Sequence, residues 1–261
     1  MLNLNQVKSF YPENLRNKPR HLLREYLQYK ILEVIYNSKF GSKLVFLGGT
    51  ALRIVYSIPR FSEDLDFDNL GLSKEEFSNL SHLIQKELEK QGLEVEIKLT
   101  FKEAFRCYIK IPKLLSSFGL SSLPDEKIVI QVDTYLQNFD FNPNIFNLDK
   151  FDVYEKIKVT PIEIILSQKI HTILGRKRKK GRDFFDVDFL INNKKISPNF
   201  KYLKEKLNIK NEKELKEKLK KELKETNFKK MASNVKKYLF NPKHNERVKS
   251  FYNSIDNWGF E

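Results

Sequence analysis

One cysteine, one tryptophan and two methionines occur in a chain of 261 residues. A single thiol excludes an internal disulfide and fits a reducing compartment. Cys107 alternates with Phe105, Ile109 and Ile111, while Arg106 and Lys110 point the other way, so it reads as a strand core residue rather than a nucleophile. The four histidines, His21, His82, His171 and His244, are scattered without ligand spacing, which argues against zinc. Long apolar runs are missing too. The most apolar stretch, Leu44 to Ile58, is interrupted by Gly48, Gly49 and Arg53 and cannot span a bilayer. The N-terminus lacks a basic segment followed by an apolar one, so the expected location is cytoplasmic. Acidic residues are outnumbered, 34 against 48 basic, for a formal charge of +14. That excess points to a polyanionic partner, nucleic acid first and an acidic protein second. A lysine-rich solvated surface would account for the same excess.

With 40% apolar and 13% aromatic residues the chain is expected to be globular, with one or two domains. Leu23, Leu27, Ile31, Val34 and Ile35 have helical spacing and predict a helix over 21–39. A short buried strand follows at 43–47, a helix at 50–56, and a strand around 64–67 beyond Pro59. Ser73 and Glu76 have capping-box spacing and open a helix to about Lys90. Alternating runs at 93–99, 105–111 and 127–135 predict three more strands. The result is an α/β core, a mixed sheet flanked by helices, ending near residue 136. Residues 137–159, rich in aromatics and asparagine, read as a linker. Thr160, Pro161 and Glu163 read as a second capping box, with Pro at the first helical position, opening a helical domain over 160–261.

Three groups of residues carry chemistry. Gly48, Gly49 and Thr50 form a turn into a helix, where backbone comes close to a polyphosphate and meets free N–H groups. Across that helix, Asp64 and Asp66 lie two apart on a strand, so both carboxylates share a face and can converge on divalent metal. Asp133 sits on the face of its strand opposite Ile128, Ile130 and Val132 and is a candidate third carboxylate; the alternative is a solubilising edge residue. In the helical part, Lys169 falls between Ile165 and Ile173, where its stem either snorkels or reaches into a cleft. Arg176, Lys177, Arg178, Lys179, Lys180 and Arg182 place six cations in seven residues around Gly181, a density suited to phosphate binding. Asp183 and Asp186 follow at helical spacing, a helix cap being the alternative for Asp183.

Gly48-Gly49-Thr50-Ala51-Leu52 followed by Arg60-x-Ser62-x-Asp64-x-Asp66 resembles the first motif of the DNA-polymerase-β-like nucleotidyltransferases, in the form of the AbiEii/AbiGii-type toxins. Lys169, the basic loop and Arg182-Asp183-x-x-Asp186 are similar to that family's second signature. The resemblance covers residues 44 to 191; beyond Pro198 no motif matches. It implies a nucleotidyltransferase core with a C-terminal helical region contributing Lys169 and Asp183. It implies Mg²⁺ or Mn²⁺ held by Asp64 and Asp66 with Asp133 a candidate, and an NTP substrate. By position, Ser62, Gly48, Gly49, Thr50 and Arg182 would contact the nucleotide, Lys169 would neutralise phosphate, and Asp183 would organise the centre or hold Lys169. Residues 176–180 would contact nucleic acid. The implied acceptor is RNA, with the tRNA 3′ end first, and the implied partner is an antitoxin. The basic loop is denser than the family pattern requires, which leaves the acceptor open. Two alternatives stand beside this: a non-catalytic nucleic-acid-binding protein on the same fold, and a transferase acting on a protein hydroxyl.

Overall fold

The computed structural model describes residues 1–136 and 138–260; Gln137, the first residue of the expected linker, and Glu261 lie outside them. The chain divides into two compact units, Met1–Val55 with Phe61–Thr160, and Tyr56–Arg60 with the chain from Pro161 onward. Five of the residues between the Gly-Gly helix and the acidic strand therefore belong to the second unit.

The first unit contains α1 (Leu4–Ser9), α2 (Pro19–Asn37), β1 (Leu44–Leu47), α3 (Gly48–Ile54), β2 (Leu65–Asn69), α4 (Lys74–Glu89), β3 (Glu96–Phe101), β4 (Phe105–Ile111), α5 (Leu114–Ser117), β5 (Ile128–Leu136), β6 (Asn144–Lys150) and β7 (Val153–Val159). Among the described residues the strands form one seven-stranded sheet in the order β3-β4-β5-β2-β1-β7-β6. The sheet is mixed: β2 runs parallel to β5 and β1 parallel to β7, and the other pairs are antiparallel. The Ser73–Glu76 box at the start of α4 makes both of its reciprocal bonds. Cys107 is fully buried on β4, and burial pushes its thiol up to about 11.

The expected linker is a hairpin. β6 and β7 pair along their whole length, and β7 joins β1 through Phe46 and Val159, so the sheet extends to Thr160 rather than ending near 136. The pattern was hidden because β6 is an edge strand with one fully buried apolar residue, Leu148; only β7 alternates strongly, burying Val153, Ile157 and Val159. Phe151, at the tip with φ +63°, sits among the rings of Phe10, Tyr11, Tyr26 and Tyr29 at centroid distances of 4.9–6.0 Å. The Thr160 capping box does not form. α6 (Ile162–Gly175) starts from Pro161 without a side-chain cap, and Thr160 Oγ1 donates to Asp68 Oδ2 at 3.4 Å instead.

The second unit continues with α7 (Gly181–Asp188), a π turn at Phe189–Asn193, α8 (Phe200–Leu207), α9 (Glu212–Leu223), α10 (Phe228–Lys236), α11 (Glu246–Lys249) and α12 (Phe251–Ser254). Leu215, Leu219 and Leu223 are all fully buried, so the stripe on α9 faces the core. Lys180, not Asp183, occupies the N-cap position of α7, because that helix begins two residues earlier than its acidic pattern suggests. No helix is long and apolar enough to cross a membrane among the described residues.

α2 passes through the core of the first unit and buries Glu25, an ionisable group that needs partners there. Glu25 accepts from Tyr11 Oη at 2.8 Å, Arg53 Nε at 2.8 Å and Lys150 Nζ at 2.9 Å, which ties α2, α3 and the hairpin together. Burial pushes its carboxyl up, but Arg53 and Lys150 outweigh that and hold it below the usual range. A carboxylate with a depressed pKa stabilises the fold above its unfolded value of about 4.3, and that contribution disappears as pH falls further. Glu25→Gln should therefore cost about 3–5 kcal/mol at neutral pH, by leaving Arg53 and Lys150 without counter-charge. Thermal melts of variant and wild type should converge as pH falls below about 4.

Candidate active site

β1 ends at Leu47, opposite Asp66 on β2, so the turn that follows lies beside that carboxylate. Gly48 takes φ +79°, and a Cβ built on it would overlap the Asp66 side chain. Both the left-handed backbone and the close approach require glycine here. Gly48, Gly49 and Thr50 are the first turn of α3, which begins two residues earlier than the sequence pattern predicts. Thr50 Oγ1 donates to the main-chain carbonyl of Asp64, and Gln28 Nε2 on α2 donates to the carbonyls of Ser62 at 3.3 Å and Glu63 at 2.9 Å. The loop carrying Ser62 and Asp64 is thus held by two helices before β2 begins.

On its other side Asp66 pairs with Asp133 in the parallel β2/β5 register, and Asp133 faces Arg106 on β4. Residues paired across a sheet share a face. Asp66, Asp133 and Arg106 therefore line one face, while Leu65 and Phe67 are buried on the other. Asp133 accepts from Gln131 Nε2 at 2.8 and 2.7 Å and lies 3.4 Å from Arg106 Nε. Burial still raises its carboxyl above the usual range, against the pull of Gln131 and Arg106.

The second unit carries a buried ion network. Arg60 is 1% exposed and Asp186 is fully buried; Arg60 Nε and Nη2 donate to the two Asp186 oxygens at 2.5 and 2.6 Å. Lys169 Nζ lies 2.8 Å from Asp183 Oδ1 and 3.0 Å from Asp186 Oδ2, and Arg176 Nη1 is 3.2 Å from Asp183 Oδ2. Lys169 neither snorkels nor stands alone. Desolvation pulls its ammonium down, but Asp183 and Asp186 outweigh this and raise it, so it stays charged. Asp183 is held below the usual range because Lys169, Arg176 and Arg60 more than offset its burial. Three cations face two carboxylates, so the cluster keeps one net positive charge. The Arg182 guanidinium lies 4.6 Å from the Tyr238 ring centroid.

Three residues here were given no role from sequence. Arg60 and Asp186 were part of the quoted motifs, but nothing in a linear pattern shows that they pair across 126 positions. Asp68 continues the alternation of Asp64 and Asp66 and is 6% exposed; that period of two was the signal available for it.

The model of the family described as nucleotidyl transferase AbiEii toxin, type IV toxin–antitoxin system, matches residues 30–254. The chain belongs to the AbiEii family. This AbiEii protein is a nucleotidyltransferase. Two solved structures from Helicobacter pylori share its fold. JHP933 has a TM-score of 0.56 at 19% identity, covering 91% of this chain and 90% of its own. A second, described as a nucleotidyltransferase, has a TM-score of 0.55 at 19% identity, with 90% and 94% covered. No curated protein sequence matches the chain.

AbiEii-type chemistry implies a divalent metal. Among the described residues no three metal-ligating side chains are grouped closely enough to hold an ion by themselves. The side-chain donor against Gly48 is nevertheless a carboxylate oxygen, and the missing Cβ leaves the room that the Asp66 carboxylate fills. Hard oxygen donors, one or two from protein with the rest from water and substrate phosphates, are what Mg²⁺ takes. The residues fit such an ion.

Asp186→Ala should remove the carboxylate that Arg60 and Lys169 share in the buried cluster and cost about 3–5 kcal/mol. Thermal unfolding followed by circular dichroism checks this, and Arg60→Ala should cost less, because Lys169 Nζ, 3.0 Å away, still pairs with Asp186.

Proposed function

We propose that this AbiEii-family enzyme transfers a nucleoside monophosphate from an NTP to a hydroxyl of RNA, the tRNA 3′ end being the preferred acceptor. In this reading it acts as a toxin restrained by a partner antitoxin. The observation that carries the chemistry is the fit of Gly48 against Asp66, with Asp133 next in register. A backbone turn that close to paired carboxylates suits a triphosphate bridged to protein by divalent cations. Asp64 and Asp66 would hold the ion, with Asp133 the candidate third ligand once Gln131 and Arg106 release it. The ion supplies neutralisation of the charge that spreads over the phosphate oxygens in the transition state.

The protein's own residues position the reactants. Gly48, Gly49 and Thr50 bring main chain beside the phosphates, and Ser62, on the tethered loop, offers its hydroxyl to them. Lys169 contributes positive charge through the cluster, since two carboxylates already lie within 3.0 Å of it. Asp183 fixes the lysine's position. Arg182, spread on the Tyr238 ring, presents a planar fork of donors suited to phosphate. The acceptor hydroxyl attacks the α-phosphorus, the bond to pyrophosphate breaks in line with it, and the hydroxyl proton passes to solvent. The cations of residues 176–180 serve the acceptor's backbone. The overall charge of +14 supports a polyanionic acceptor over a protein hydroxyl.

Asp66→Asn should reduce transfer of α-labelled NMP to RNA by at least about a thousandfold while leaving the melting temperature within a few degrees, as loss of a group acting on the transition state does. Undiminished transfer would remove Asp66 from the site. Label appearing from γ-labelled NTP would replace nucleotidyl transfer by phosphotransfer.

A further inference from the structure

The basic loop does not stand alone on the surface. Gly181, at its end, packs so tightly on α10 that an added Cβ would overlap the Met231 carbonyl oxygen. Lys179 Nζ donates to the Ile173 carbonyl at 2.8 Å and Arg176 is paired with Asp183, so both sides of the loop are tied down. The loop and α10 thereby enclose two grooves. One, about 420 Å³, is lined by Lys177, Arg178, Lys179, Lys230 and Asn234 together with Glu222 and Glu225. The other, about 370 Å³, is lined by Arg178, Lys179, Lys180, Arg182, Asn234 and Lys237. Arg178, Lys179 and Asn234 border both, which makes them one continuous channel.

Lys230, Asn234 and Lys237 are spaced i, i+4, i+7, one face of α10 and the turn after it, about 10 Å from end to end at 1.5 Å per residue. All three are exposed. Lys177, Arg178, Lys230 and Lys237 form no ion pair with the described residues, although two glutamates border the channel. The channel lining holds seven cations against two glutamates, an excess of positive charge that a polyanion laid along it would neutralise.

We propose that this channel binds the phosphodiester backbone of single-stranded RNA, with Lys230 and Lys237 acting as phosphate contacts opposite the loop. The proposal rests on RNA being the acceptor. Protein partners are held by buried aromatic and aliphatic anchors, and this lining is polar apart from Met231 and Tyr238. A concave channel admits one strand, whereas a duplex is a convex rod that meets only its rim. Asn234, between the two lysines, can donate to a phosphate or a 2′-hydroxyl.

The test is equilibrium binding of a short fluorescein-labelled single-stranded RNA to full-length protein carrying Asp66→Asn, without NTP, over a series of salt concentrations. Adding Lys230→Ala and Lys237→Ala together should weaken binding about tenfold and flatten the log–log salt dependence by about 1.4, roughly 0.7 for each lost contact to a single strand. Lys213→Ala, nine residues before Glu222 on α9 and outside both grooves, should change neither. Gly181→Ala, which forces loop and helix apart, should weaken binding with all the lysines intact. An unchanged affinity and slope in the double variant overturns the proposal, whether or not the wild type transfers NMP. Preference for duplex RNA, or competition by polyglutamate equal to that by RNA of matching charge, also overturns it, the latter in favour of an acidic protein. Failure of transfer by the wild type, with the binding result as expected, would count against the catalytic reading and leave the channel standing.

Discussion

The Arg60–Asp186 ion pair is the constraint on which the second unit depends. Both groups are removed from water, and a buried charge persists only if its partner lies close and its remaining donors and acceptors are used. Asp186 meets that demand twice, through the Arg60 fork and the Lys169 ammonium, and Asp183 shares the lysine with Arg176. The pair also enrols Tyr56–Arg60 in the helical unit. Arg60 bridges to Leu239, and Phe240 N donates to the Pro59 carbonyl at 3.1 Å. Four residues later the same chain reaches Asp64. A short stretch of sequence is therefore fixed at one end by an ion pair and at the other by Gln28 and Thr50.

The first unit meets the same requirement in another way. Its acidic face is built by register, not by loop placement: antiparallel pairing puts Leu47 opposite Asp66, and parallel pairing puts Asp133 beside it. Carboxylates held this close on a sheet repel, and the raised carboxyl of Asp133 reflects burial that Gln131 and Arg106 only partly offset. The cost is tolerable because the sheet is anchored elsewhere, at Glu25 with its two cations and in the aromatic cluster around Phe151. Stability and chemistry are separated within one unit, so carboxylates can be arranged for a cation without each having to stabilise the fold.

Much of the candidate site was legible from spacing. The Gly-Gly turn, the Asp-x-Asp alternation, the lysine on α6 and the basic loop are local patterns, and local patterns survive in a linear sequence. The strands at 105–111 and 128–136 and the capping box at Ser73 were readable for the same reason. The hairpin at 144–159 was not, because an edge strand buries one face weakly and shows little alternation. The capping-box spacing at Thr160 does not produce a cap, because Thr160 Oγ1 donates to Asp68 on β2 instead. Asp68 itself was overlooked although it continues the period of two.

What the sequence alone determined is the chemistry available: carboxylates two residues apart, glycines where a backbone must come close, and an excess of cations gathered in one loop. These follow from side-chain periodicity and charge, which neighbouring residues decide. Only the tertiary structure decided which of these groups are coupled. Arg60 and Asp186 are 126 positions apart, Asp66 and Asp133 are brought level by a parallel pairing, and the basic loop gains a second wall from α10. Such pairings depend on burial and register between distant segments, and a charge removed from water takes whichever counter-charge the fold delivers to it.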